Sequence, residues 1–319
     1  MNILVSGVAS DVGFGIARIL RDWEITSNLI GVDIKDDHPG TFVCDICERS
    51  PLPGGGENYM SWLENFIKSK AIDLFIPTSD AEIRYLSNQD LSGLSDTNIL
   101  INERNVVQTS LDKYQCMNYL SSEGIRVPKH GLIKKNDKVS SEWYESELFP
   151  VVLKPRFGQG SKGFRKIRSK EEFPEFDHEN FIWQELLADD DQEFTCAAYS
   201  PDKIEKQILI IKRTLDGGVT GSGEIVDNSE ILEYISSIMD AFQLKGVMNV
   251  QLRLTKDGPV LFEINPRLSS TVVFRDKLGF TDLKWWINDL TSSNKNIYCQ
   301  PEVGTKFYRK THEYIITND

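Results

Sequence analysis

Residues 247–254 read VMNVQLRL and residues 259–265 read PVLFEIN. Both stretches alternate, and each carries polar groups where an ordinary core strand would carry another apolar residue. In the first, Met248, Val250, Leu252 and Leu254 face one way, while Asn249, Gln251 and Arg253 face the other. In the second, Glu263 and Asn265 share a face, with Phe262 and Ile264 behind them. Lys256-Asp257-Gly258 fits a three-residue hairpin loop closed by a left-handed glycine. That loop sets Gln251 opposite Glu263 and Asn249 opposite Asn265, whereas a two-residue loop shifts the pairing by one and loses the match. One carboxylate and two side-chain amides on adjacent strands, with Arg267 just beyond, are the oxygen ligands that hard divalent cations take. The plain alternative is a half-exposed hairpin with a polar outer face.

Composition narrows the field. At 319 residues the chain has room for two or three domains. An apolar share of 40% and a charged share of 26% describe a globular protein. The net charge of −12 argues against a nucleic-acid binder, which needs a basic footprint, and no stretch is apolar enough to span a bilayer. Five scattered cysteines point to a reduced, cytoplasmic setting; Cys44 and Cys47 make one CxxC that no second ligand pair answers.

Residues 2–105 alternate strands with helices, which predicts a parallel sheet with crossover helices: strands at Ile3–Val5, Leu29–Asp33, Ile72–Pro77 and Ile99–Ile101, helices at Gly15–Trp23 and Tyr59–Lys68. Gly7, Gly13 and Gly15 invite a dinucleotide reading, with Asp33 where a ribose-binding acid would lie. GxGxxG is absent, however, and the Tyr199-xxx-Lys203 pair has a turn for an interior. A single helix is expected over residues 108–128, and one more at Ser229–Phe242 within a strand-rich remainder.

Chemistry-bearing residues recur in order. Phe149 to Pro155 is a buried strand delivering Lys154, and the loop from Gly158 through Gly160 and Ser161 to Gly163 has glycine N–H groups able to wrap phosphate oxygens. It is not a Walker A loop, and a plain glycine-rich turn between strands is the alternative. Phe181 to Leu186 is an apolar strand ending in Glu185, and Glu193 opens the next; such a strand-to-loop edge suits an adenine slot beside a ribose acceptor.

Lys113, Lys154, the glycine loop, Glu185, Glu193, Gln251, Glu263 and Asn265-Pro266-Arg267, in this order, resemble the ATP-grasp superfamily. The likeness is strongest to the branch of the carbamoyl phosphate synthetase large subunit. The resemblance implies an α/β fold in which a Rossmann-like pre-ATP-grasp domain at residues 1–107 precedes an ATP-grasp domain at 108–319, with a nucleotide lid at about 125–185. It implies that Lys113 and Lys154 hold phosphates while the 158–163 loop closes over them. Glu185 and Leu186 would lie at the adenine hinge, Glu193 would take the ribose, and Gln251, Glu263 and Asn265 would ligate Mg²⁺ (or Mn²⁺). Arg267 would steady the transferring phosphoryl group of ATP. The implied activity joins a small-molecule carboxylate to an amine through an acyl phosphate, releasing ADP, and the family suggests a homodimer. From charge and location alone, Arg213 and Arg275 are candidates to receive a substrate carboxylate. A nucleotide-binding regulator without turnover and an NAD(P)-dependent oxidoreductase are the competing readings.

Overall fold

A computed structural model describes residues 1–23, 26–55, 58–133, 149–158, 163–172, 180–187, 192–201, 205–292 and 295–310. Strands β1 (Asn2–Ser6), β2 (Asn28–Asp33), β3 (Ile46–Arg49), β4 (Leu74–Ile76) and β5 (Asn98–Ile99) form a parallel sheet in the order β3-β2-β1-β4-β5. The β3 strand, with its polar Cys47-Glu48-Arg49, lacks the apolar run that marks the others, and the sequence reading passed over it. Helices α1 (Asp11–Arg21), α2 (Tyr59–Ser69) and α3 (Asp80–Leu86) are its crossovers. The turn from β1 into α1 is tight: a Cβ at Gly13 would lie 2.2 Å from the Gly7 carbonyl oxygen, and Gly7 itself has φ +65°.

Two helices stand where one was expected, α4 (Arg104–Leu111) and α5 (Lys113–Ser122). Asp112 breaks the run. It is extended, its carboxylate accepts from the N–H groups of Tyr114 and Gln115 at 3.1 Å, and it so caps α5.

Strands β6 (His130–Leu132), β7 (Val151–Pro155), β8 (Arg165–Ile167) and β9 (Phe181–Glu185) make an antiparallel sheet in the order β6-β9-β7-β8. A larger sheet follows from β10 (Glu193–Ser200), β11 (Gln207–Asp216), β12 (Val219–Ile225), β13 (Gly246–Thr255), β14 (Gly258–Asn265) and β15 (Lys306–Tyr308), in the order β14-β13-β10-β11-β12-β15. Helix α6 (Ser229–Ala241) is capped by Asn228 and buries Ile231, Ile235, Ile238 and Met239. Those side chains meet Met248, Val250, Leu252 and Ile264, each contributing roughly 1.5–3 kcal/mol by leaving water. Two further helices, α7 (Val272–Lys277) and α8 (Asp282–Thr291), were absent from the sequence reading. The second buries Leu283, Trp286 and Ile287, a helical spacing that the strand-rich surroundings obscured.

The hairpin has the expected partners by a different route. Gln251 pairs with Glu263 and Asn249 with Asn265, yet Thr255 pairs with Gly258, so the loop holds only Lys256 and Asp257. A bulge between Gln251 and Leu252, with Leu252 opposite Leu261, restores the offset, and Phe262 is the extra residue. Phe262 therefore faces the cavity described next instead of packing behind Glu263.

Candidate nucleotide and metal site

A cavity of about 1000 Å³ lies where the three sheets meet. Among its walls are Lys113, Lys154, Gly158, Glu185, Leu186, Glu193, Arg213, Gln251, Glu263, Asn265 and Arg267, gathered from positions more than 150 residues apart in the chain. Gly160 and Ser161 lie outside the described residues. Gly163, with φ +79°, packs beside Pro155 and Phe181 and is not among the lining residues.

Lys154 projects from β7 and is buried. Its ammonium donates to Gln184 Oε1 and to the carbonyl oxygen of Phe262, each at 2.7 Å. The bulge is what frees that carbonyl from the β13–β14 ladder. Burial pulls the Lys154 pKa down to about 7; Glu263 pulls the other way and Lys113 adds to the lowering. Lys113, the first residue of α5, donates to the Gly158 carbonyl at 2.6 Å, which ties the helix to the start of the glycine loop. Arg156 pairs with Asp112 at 2.6 Å and joins the same two elements.

On the opposite wall the carboxylate of Glu263 has no hydrogen-bond or ion-pair partner among the described residues, although it shares its strand face with two amides. Gln251 Oε1 accepts from Arg213 at 2.8 Å, and Asn265 Oδ1 accepts from Arg267 at 3.3 Å. An uncommitted carboxylate beside two amide oxygens is a donor set that fits a hard cation. Glu193 is already doubly paired, with Arg213 at 2.8 Å and Arg253 at 2.7 Å. Arg253, noted in the sequence only as a polar-face residue, thus belongs to the site, as does Gln184. Gln184 is one of the polar residues that end β9, but its contact with Lys154 joins it to another strand. At the hinge, Glu185 Oε2 accepts from the Lys129 N–H at 3.1 Å and the Leu186 N–H donates to Pro150 at 3.2 Å.

Arg213 lies in the cavity. Arg275 does not. Only 1% exposed, Arg275 pairs with Asp282 at 2.8 Å and donates to the hydroxyls of Ser269 and Thr271, so it cannot meet a substrate in the cavity. Its part is to brace the 269–271 turn, whose residues do line the cavity. Arg275→Ala should lower unfolding free energy by about 3–5 kcal/mol, because Asp282 is left buried without its cation; denaturant titration checks this. Arg267 pairs with Asp80 of α3 and donates to the Leu268 carbonyl at 2.9 Å, linking the first sheet's helices to the end of β14. The Tyr199 hydroxyl of the chance Tyr-xxx-Lys match donates to the exposed Asp289, and Lys203 lies outside the described residues.

Comparison with known families now decides the assignment. An ATP-grasp domain model matches residues 110–271. The chain belongs to the ATP-grasp family. It is 26% identical over 148 residues to the C-terminal section of the carbamoyl phosphate synthase large chain of Aquifex aeolicus, covering 40% of this chain and 27% of that one. Among solved structures it shares its fold with N5-carboxyaminoimidazole synthetase of Staphylococcus aureus complexed with ADP (TM-score 0.74, 14% identity, 96% of this chain and 80% of that one). An L-amino acid ligase of Bacillus licheniformis matches with TM-score 0.71 at 16% identity, over 91% and 74% of the two chains. The chain spans between 27% and 62% of the length of the curated relatives it matches. Among the described residues no helix is long and apolar enough to cross a membrane.

Proposed function

We propose that this ATP-grasp chain is an ATP- and Mg²⁺-dependent ligase that activates a small-molecule carboxylate as an acyl phosphate and joins it to an amine, releasing ADP and phosphate. The observation that carries this reading is the uncommitted Glu263 carboxylate, flanked by Gln251 and Asn265, in one cavity with Lys113 and Lys154. A carboxylate is a poor electrophile until one of its oxygens becomes a leaving group, and phosphoryl transfer supplies that. The protein's share of such a step is placement of charge. Lys113 and Lys154 hold the phosphates, Arg267 meets the transferring group, and Glu193 takes the ribose once the nucleotide displaces part of its arginine clamp. Gln251, Glu263 and Asn265 would hold Mg²⁺, which when bound would supply positive charge to offset that of the triphosphate. The 158–163 loop excludes water that would hydrolyse the acyl phosphate. The division near residues 107 and 108, with the lid at about 125–185, and a homodimeric assembly belong to this proposal; light scattering tests the latter.

Incubation with ATP, Mg²⁺ and a panel of carboxylic acids and amines should yield ADP and phosphate. Hydroxylamine in place of the amine should trap a hydroxamate. Release of AMP would overturn the acyl-phosphate route, and nucleotide binding without turnover across the panel would favour a regulatory protein.

Lys154 offers a second check. Its pKa of about 7 means that above this pH the nucleotide-free site holds the amine largely neutral. Phosphate oxygens favour the ammonium and raise that pKa, so nucleotide binding above neutral pH should take up about one proton. Calorimetry in buffers of different ionisation enthalpy reads that uptake, and Lys154→Met should abolish it.

A further inference from the structure

The cavity is larger than a nucleotide requires, standing at the top of the roughly 300–1,000 Å³ range of ligand pockets. Its charge is divided. The end at the two antiparallel sheets carries Lys113, Lys154, Lys166, Arg213 and Arg253, while Arg267 is tied to Asp80 of α3. The other end is built by the carboxyl ends of the parallel strands, around Ser6 of β1 and Thr78 just past β4. The chain leaves β1 toward β2 on one side and returns to β4 on the other, so this is the switch point of the sheet, where open α/β sheets receive ligands.

Of the three carboxylates that line that end, Asp11 pairs with Arg309 at 3.9 Å, and the other two are buried, Asp33 at 6% exposure and Glu82 at 4%. Neither has an ion-pair partner among the described residues. Glu82 accepts from the hydroxyls of Ser6 and Tyr59, and Asp33 from the N–H groups of Ala9 at 3.0 Å and Lys35 at 3.1 Å. Neutral donors hold both, and a buried carboxylate without a counter-charge is costly. Burial pushes the Glu82 carboxyl above its usual range, with Asp33 adding to it. The α1 N-terminus does not turn this end toward anions. The Ala9 N–H is given to Asp33, that of Ser10 to Gly7 and that of Gly13 to the Ser10 hydroxyl, while Asp11 occupies the first turn. Beside the acids, Ile34 and Leu52 line the cavity with 46% and 55% of their surfaces still exposed. Large aliphatic side chains so placed can bury that surface against a ligand's own apolar part.

We propose that this end of the cavity binds the amine substrate as an organic cation, its ammonium group on Asp33 and Glu82 and its hydrocarbon part against Ile34 and Leu52. The inference rests on the ligase reading of the other end. A phosphate dianion at this end would meet two buried carboxylates.

Titration of the full chain in MgADP with hexylammonium, hexanol and O-phosphoethanolamine tests it by calorimetry. Hexylammonium should bind, and the neutral and phosphorylated probes should bind far more weakly. Asp33→Asn and Glu82→Gln should each weaken hexylammonium about tenfold or more, the scale of one charge-assisted hydrogen bond, and leave ADP affinity unchanged. Ile34→Ser, at a half-exposed position that folding does not depend on, should erase the preference for hexylammonium over ethylammonium even where Glu82→Gln fails to fold. Equal binding of hexanol, tighter binding of O-phosphoethanolamine, or wild-type affinity in Asp33→Asn would overturn the proposal. Loss of cation binding with ADP-forming turnover intact defeats this inference alone; cation binding with no turnover on any panel defeats the ligase reading alone.

Discussion

Glu263→Gln should lower the rate of ADP formation by about 10²–10³-fold and weaken the apparent affinity for Mg²⁺. The exchange removes one negative charge and almost no volume. The side chain has no hydrogen-bond or ion-pair partner among the described residues. Its charge supports the fold through its attraction to the buried Lys154 ammonium, and the melting temperature should change little. Gln251 and Asn265 retain their oxygens, but two amides and a third in place of the carboxylate bind a divalent ion weakly. Steady-state rates over a range of Mg²⁺ concentrations, beside a thermal melt, separate loss of the ion from loss of structure. A rate within a few-fold of wild type would show that Glu263 does not hold the ion.

Arg267→Ala should act on rate and stability together. Its guanidinium is 11% exposed, pairs with Asp80, and reaches the Leu268 carbonyl and Asn265. Truncation leaves Asp80 without its cation, a loss of about 3–5 kcal/mol. It also removes a positive charge that bonds one of the proposed metal ligands, Asn265, at a cost of about 10²-fold or more in turnover. Arg267→Lys keeps the charge yet cannot bond Asp80, Leu268 and Asn265 together, so it should recover much of the stability and little of the rate. Recovery of both would reduce Arg267 to a structural tie. Chemical denaturation and ADP release, measured on both variants, give the answer.

The two polar strands were legible because alternation is a local property, and so was the register that brings Gln251 to Glu263. The reason offered for that register was not the true one. A two-residue turn and a bulge produce the same offset as a three-residue turn, and nothing in LRLTKDGPVLF separates them. The division at Asp112 could have been read, since Asp112 with Gln115 three residues on is a capping pattern at the start of α5. Arg275 was misplaced because charge alone does not tell a buried arginine from a ligand-facing one. Its pairing with Asp282 joins two helices that the sequence reading did not contain. Glu82 was missed for a similar reason: it joins Asp33 only through the crossover from β4 to α3, and the strand alone was read there. Where a side chain's surroundings come from its own strand the sequence sufficed; where they come from another sheet it did not.

Diffraction from crystals grown with Mn²⁺ and a non-hydrolysable ATP analogue, recorded at the manganese edge, tests the central claim most directly. An anomalous peak is expected within bonding distance of Glu263, Gln251 and Asn265, with the analogue's phosphates running from that peak toward Lys154 and Lys113. A nucleotide bound elsewhere, or a peak remote from Glu263, would contradict it.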